Sequence, residues 1–199
     1  MEHHIISARY LQLESWMDIQ HVPATIGLLN SLEGINLSNL PLRDLPPEFS
    51  NLTRLKELNL SHCDLKEIPS VIYNLTTLQS INIDGNIRID SLSREFLQRL
   101  PNLEILHASH CNISTIPSEI SKLSKLTWLY LDNNPLTVLP DAIGKLLYLE
   151  QLDLSHCKLN KLSESIAQLR RLKSLNLSFN NLKFLPASLG LLVELKVRR

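Results

Sequence analysis

Apolar residues follow two rhythms in turn along this chain. From Leu126 to Tyr148 (LTWLYLDNNPLTVLPDAIGKLLY) they fall at Leu126, Leu129, Leu131, Leu136, Leu139, Ile143 and Leu146. The first part alternates, with Leu129 and Leu131 on one face and Trp128, Tyr130 and Asp132 on the other. That period of two predicts a short strand. In the second part, Leu139-Pro140 followed by Ile143 and Leu146, the spacing of three to four predicts a helical or 3-10 turn entered near Pro140.

The pattern repeats. Its first leucines are Leu32, Leu55, Leu78, Leu103, Leu126, Leu149, Leu172 and Leu195, and successive differences are 23, 23, 25, 23, 23, 23 and 23. That makes seven full units and the opening of an eighth, a period that marks a repeat architecture. No single unit can bury its own apolar face. Stacked units share one leucine core, so stability is cooperative between neighbours. The expected organisation is an N-terminal cap with a degenerate first repeat (1–31), seven repeats (32–194) and the start of an eighth, truncated repeat (195–199). In the cap, Leu11 and Leu13 alternate like a strand, and Trp16 and Met17 are placed to cover the end of the stack. The third repeat is two residues longer than the others, which predicts a longer helix around Leu92–Leu100. At the other end Leu191, Leu192 and Val193 need cover from further chain or a second subunit. The chain is read as a monomer, with that open end as the surface for a dimer.

The template LxxLxLxxNxLxxLPxxIxxLxx is met almost residue for residue at Leu126–Tyr148 and Leu172–Glu194. In this the chain resembles the leucine-rich repeat family, over roughly five-sixths of its length. The "LP…I…L" half is similar to intracellular scaffolds of the Scribble and Ras-suppressor type, and to bacterial leucine-rich repeat proteins that include secreted effectors. The resemblance implies an α/β leucine-rich repeat solenoid, a right-handed superhelix with short parallel strands on the concave face and short helices or 3-10 turns on the convex face. It implies a protein-interaction module as the function.

The 20 basic and 20 acidic residues cancel. A neutral chain gives no electrostatic case for nucleic acid or an anionic membrane surface as partner. No apolar run is long enough for a bilayer, and the N-terminus lacks the basic start and apolar core of a signal peptide. A cytoplasmic protein is expected, or else one delivered into a host cell by a specialised secretion system.

Three Ser-His-Cys tripeptides, at 61–63, 109–111 and 155–157, lie in alternate repeats. Equivalent positions two strands apart are separated by about 9.5 Å, beyond the ~7 Å between Cα atoms that a disulfide allows and too far for shared zinc ligation. The cysteines are therefore expected as buried, inert thiols, with no metal or cofactor. They alternate with Asn86, Asn134 and Asn180, whose amides face the turn after the strand and satisfy backbone groups there. Six N-x-Ser/Thr triplets, at Asn36, Asn51, Asn59, Asn74, Asn112 and Asn176, arise from the repeat itself and are read as accidental glycosylation matches.

The exposed strand positions form columns. Most are small and polar, but Ile105, His107, Trp128 and Tyr130 are neighbours in repeats four and five. Asp84, Asp132 and Asp153 surround them, and Phe179 stands in the outermost column. An aromatic patch with a polar rim has the make-up of an interface hot spot. These eight residues are the expected partner-binding site, and the aspartates point to a partner protein segment carrying Lys or Arg. His107, Tyr130 and Asp153 share a column near Ser109 and Ser155, but a shallow open sheet offers no water-excluded pocket and no oxyanion donors. No catalytic residues are expected. The rival readings are an effector acting on a host protein through the same face, and the substrate-recognition part of a longer enzyme such as a ubiquitin ligase.

Overall fold

The structure, a computed structural model, describes residues 8–13 and 19–196. The strands are β1 (Tyr10–Gln12), β2 (Gly34–Asn36), β3 (Glu57–Asn59), β4 (Ser80–Asn82), β5 (Ile105–His107), β6 (Trp128–Tyr130), β7 (Gln151–Asp153) and β8 (Ser174–Asn176). They form one parallel sheet in sequence order. Register is strict: Leu106, Leu129, Leu152 and Leu175 pair in turn, so every column of the sequence is a row across the sheet. The chain is an open leucine-rich repeat solenoid.

Between strands the chain returns through 3-10 turns, of which Ser118–Lys122 and Asp141–Lys145 are typical. Proline enters most of them. Pro117 and Pro140 hold extended backbone (φ −65° and −69°) immediately before the turn, a geometry that the pyrrolidine ring presets. Adjacent turns pack closely. A Cβ on Gly144 would stand 2.5 Å from the Ser165 carbonyl oxygen, so only glycine fits there. The long third repeat replaces its 3-10 turn by helix α1 (Arg94–Arg99). The Ser93 hydroxyl caps α1 by accepting from the Phe96 N–H at 3.1 Å.

The core runs the length of the stack. Leu106, Leu126, Leu129, Leu131 and Leu149 are fully buried, as are their equivalents in neighbouring coils. Cys63, Cys111 and Cys157 are free thiols inside it. Burial raises their pKa values, to about 11 for Cys63 and about 12 for Cys111.

The alternation of asparagine and cysteine has a structural cause. The Asn134 amide donates to the Leu131 carbonyl of its own coil (2.9 Å) and to the Ala108 carbonyl of the preceding coil (2.7 Å), and accepts from the Ile113 N–H (3.0 Å). Asn86 and Asn180 do the same one coil back, to Leu60 and Leu154. The preceding coil is in each case a cysteine coil, so one asparagine serves two repeats. Each thiol makes only the weaker bond, Sγ to carbonyl, at 3.1 Å for Cys63 and 3.4 Å for Cys111 and Cys157.

Strands β2 to β8 are each followed by a left-handed residue. Asn39, His62, Gly85, His110, Asn133, His156 and Phe179 all have φ between 51° and 71°. Asparagine and histidine are among the side chains that adopt this region most readily; a bulky phenylalanine is a true exception. Phe179 is stacked on His156, centroids 4.2 Å apart and planes at 14°.

Toward the C-terminal end burial falls away. Leu175, Leu177, Leu182 and Leu189 are only partly buried, and Phe184 is 83% and Val193 81% exposed. Leu192 departs from the expectation of an uncovered residue. It is 6% exposed because the turn Ala187–Leu191 folds it back onto the core. The Lys196 N–H already bonds the Lys173 carbonyl (2.9 Å), in register with the strands before it. The placement of Trp16 and Met17 lies outside the described residues.

Candidate interaction face

The strand face has its own hydrogen-bond grammar. In the central column the side-chain oxygen accepts from the backbone N–H two residues on: Asn36 from Ser38 (3.0 Å), Asn59 from Ser61 (2.9 Å), Asn82 from Asp84 (2.8 Å), Asp153 from Ser155 (2.9 Å) and Asn176 from Ser178 (3.2 Å). Asn and Asp favour this turn because their short polar arm reaches that N–H. The column departs from the rule at His107 and Tyr130. Neither ring can make the turn, and the Ser109 N–H bonds instead to Asp84 Oδ1 from the neighbouring strand (2.6 Å).

The two exceptions stack on each other, with centroids 4.5 Å apart and planes 10° from parallel. The Tyr130 hydroxyl donates to Gln151 Oε1 at 2.8 Å. Beside them in the first column stand Ile105, half-buried, and Trp128, 36% exposed. Register pairs Ile105 with Trp128 and His107 with Tyr130, so the structure brings these four together. Phe179 lies apart, three strands from β5 and 74% exposed.

The aspartates are engaged by their own chain. Asp132 Oδ1 accepts from the Ser109 hydroxyl, and its Oδ2 from Asn133 Nδ2 (2.8 Å). Asp153 Oδ1 accepts from the Ser155 hydroxyl (2.7 Å) and its Oδ2 from Asn176 Nδ2 (3.0 Å). Asp84 Oδ2 lies 3.8 Å from His107 Nδ1, and His110 Nε2 lies 3.8 Å from Asp132 Oδ2. Burial raises the Asp84 pKa, against the pull of the Ser109 N–H and of His107. Burial, then the charge of Asp153, raises that of Tyr130. These carboxylates brace the face first, and their remaining lone pairs are what a partner would meet. Ser109 and Gln151, the residues that hold Asp132 and Tyr130, carry no signal in the sequence beyond being polar at a strand position.

His107 and Tyr130 form a ridge between two depressions. One, about 280 Å³, runs back from His107 over β1–β4; the other, about 590 Å³, runs forward from Tyr130 over β7 and β8. Both are open and mainly polar. Among the described residues no cluster of three His, Cys, Asp or Glu side chains is arranged to hold a metal ion, and no helix is long and apolar enough to cross a membrane.

Leucine-rich repeat region is the family that matches, over residues 3–115 and 105–197, and the chain belongs to it. Proteins with this fold are generally non-catalytic interaction modules. No curated protein matches the chain. Among solved structures it is similar to a leucine-rich repeat protein of Leptospira interrogans, with 30% identity over 97% of this chain and a TM-score of 0.91. This chain spans 48% of that protein. It is also similar to TLR13, solved in complex with single-stranded RNA (28% identity, 94% of this chain, 27% of that one, TM-score 0.81). A third likeness is to the leucine-rich repeat domain of the type III effector XopL, with 26% identity over 92% of this chain and 73% of that one and a TM-score of 0.78.

Proposed function

We propose that this chain is a non-catalytic module that binds a partner protein on its strand face, centred on Ile105, His107, Trp128 and Tyr130. The observation that carries the reading is the break in the central column. Elsewhere from β2 to β8 the repeat spends that position on a turn-stabilising Asn or Asp; at two adjacent strands it gives up the turn and presents stacked rings. That exchange gains nothing for the leucine core on the other face of the sheet. It creates a rigid apolar platform, with its orientation set by Gln151, amid polar surroundings, which is how binding energy concentrates at interfaces. Asp84, Asp132 and Asp153 suit a partner segment with Lys or Arg, and Phe179 extends the surface.

One feature favours protein over nucleic acid, although a structural relative was solved with RNA. No strand residue is Lys or Arg, whereas nucleic acids are held by positively charged grooves. Catalysis through the His107–Tyr130–Asp153 row is disfavoured by its geometry. The rings stack rather than share a proton, and the tyrosine hydroxyl is committed to Gln151.

The likeness to the XopL domain supports a second reading, an effector acting on a host protein through this same face. Under either reading the chain works in a cytoplasm, its own or a host's. The test is capture with wild type and Trp128→Ala, identifying what is bound by mass spectrometry and measuring the affinity of the purified partner. Trp128→Ala should weaken binding by ~2 kcal/mol or more with the fold intact. An unchanged affinity would remove this patch from the interface.

A further inference from the structure

The N-terminal half of the strand face differs from the aromatic platform. Gln12, Asn36, Asn59 and Asn82 occupy one row in strict register, so four amide side chains follow one another on neighbouring strands, about 4.8 Å apart. The oxygens of Asn59 and Asn82 are turned to their own backbone. Their NH2 groups are left toward the depression, with no partner among the described residues. At the start of the row the Tyr10 ring presents its Cδ1–Cε1 edge to Gly34: a Cβ there would come within 2.5 Å of that edge. Glycine lets the ring settle against the backbone, and Tyr10 stays 58% exposed. Glu57 and Ser80 also line the depression, and among the described residues no Lys or Arg does.

We infer that this groove binds an unbranched, uncharged chain of β-linked pyranoses laid across β1–β4. Two fixed amide donors on neighbouring strands, Asn59 and Asn82, select a ligand with acceptors at the same pitch. An extended peptide repeats its same-side groups at about 6.7 Å, out of step with the rungs. A helical peptide has spent its carbonyls within the helix. A polyanion meets the Glu57 carboxylate and no compensating cation. A linear glycan escapes all three objections. Each of its rings carries hydroxyls on both edges, so an acceptor faces the row at every ring whichever way the ring is turned, and these hydroxyls both accept from Asn59 and Asn82 and donate to Glu57. The apolar face of one pyranose fits against the open face of Tyr10.

The experiment is titration of the whole chain with cellohexaose, chitohexaose and laminarihexaose, followed by amide NMR and calorimetry. At least one should bind saturably, with shifts centred on Tyr10, Asn59 and Asn82. The double variant Asn59→Asp/Asn82→Asp removes the NH2 donors while keeping the turn, as Asp153 does naturally in the same row. It should fold normally and bind at least about tenfold more weakly, the scale expected for two lost hydrogen bonds. Tyr10→Ala should weaken binding comparably. Saturable binding by none of the three sugars, unaltered binding in the Asp variant, or shifts confined to the depression beyond Tyr130 would each overturn the inference. Trp128→Ala separates the two proposals, since it should impair protein capture and leave the sugar titration unchanged.

Discussion

The His107 and Tyr130 rings stack 4.5 Å apart on adjacent strands, 10° from parallel, at the two positions where the repeat drops its Asx turn. The stack holds Tyr130 upright, and the bond to Gln151 stops it rotating.

Because they touch, the two rings should be energetically coupled. In a double-mutant cycle of His107→Ala and Tyr130→Ala followed by denaturant unfolding, the coupling should be about 0.5–1.5 kcal/mol. Tyr130→Phe keeps the stack and loses only the hydroxyl bond, so its cost should stay near 1 kcal/mol. Additive single effects would mean that the rings do not support each other.

Leu131 is fully buried on the opposite side of the same coil. Leu131→Ala should cost about 2–5 kcal/mol of stability through the cavity it leaves, seen as a lower midpoint in urea. A loss of a few tenths would contradict its place in the core.

Asn134 is a junction between two coils. Asn134→Ala orphans the Ala108 carbonyl and the Ile113 N–H together, and leaves the Leu131 carbonyl only its weak bond from the Cys157 thiol. Each buried group left unpaired costs about 1–3 kcal/mol, so the loss should exceed that of Leu131→Ala or match it. Hydrogen exchange should quicken in the cysteine coil that contains Ile113 as well as in the coil of Asn134. Quickening confined to the mutated coil would rule out the bridging role.

The thiols make stability fall in alkali. Their folded pKa values are raised, to about 11 for Cys63 and about 12 for Cys111, so above the ordinary thiol range the unfolded chain binds fewer protons than the native one. Stability contributed by keeping them protonated is complete below about pH 8.5 and is lost as pH climbs toward 11 and 12. Cys111→Ala should flatten this alkaline decline in a urea series between pH 8 and 11. A thiol reagent at pH 8 should react slowly with the native protein and fully in denaturant; fast native labelling would show that the thiols are not enclosed.

Much of this was readable in the sequence because a strict 23-residue period forces equivalent residues into one row. The strand of Trp128–Tyr130, the inward cysteines, the helix in the long third repeat and the meeting of Ile105, His107, Trp128 and Tyr130 all follow from period and parity alone. The state of the carboxylates did not follow. Nothing in the spelling of Asp132 or Asp153 says that Ser109, Asn133, Ser155 and Asn176 already bond them, since two of those four contacts come from a neighbouring strand and the other two depend on side-chain rotamers.

The sequence by itself determined the solenoid, its rows and which side chains lie outside the core, because repeat length and alternation leave the backbone little choice. Tertiary structure decided what those outer side chains do. The left-handed φ values at His62, His110, His156 and Phe179 are local backbone angles, while the reach of each asparagine into the coil before it and the Tyr10 ring against Gly34 are contacts between coils. They depend on angles and distances across the stack, and a linear pattern of apolar and polar positions does not encode those.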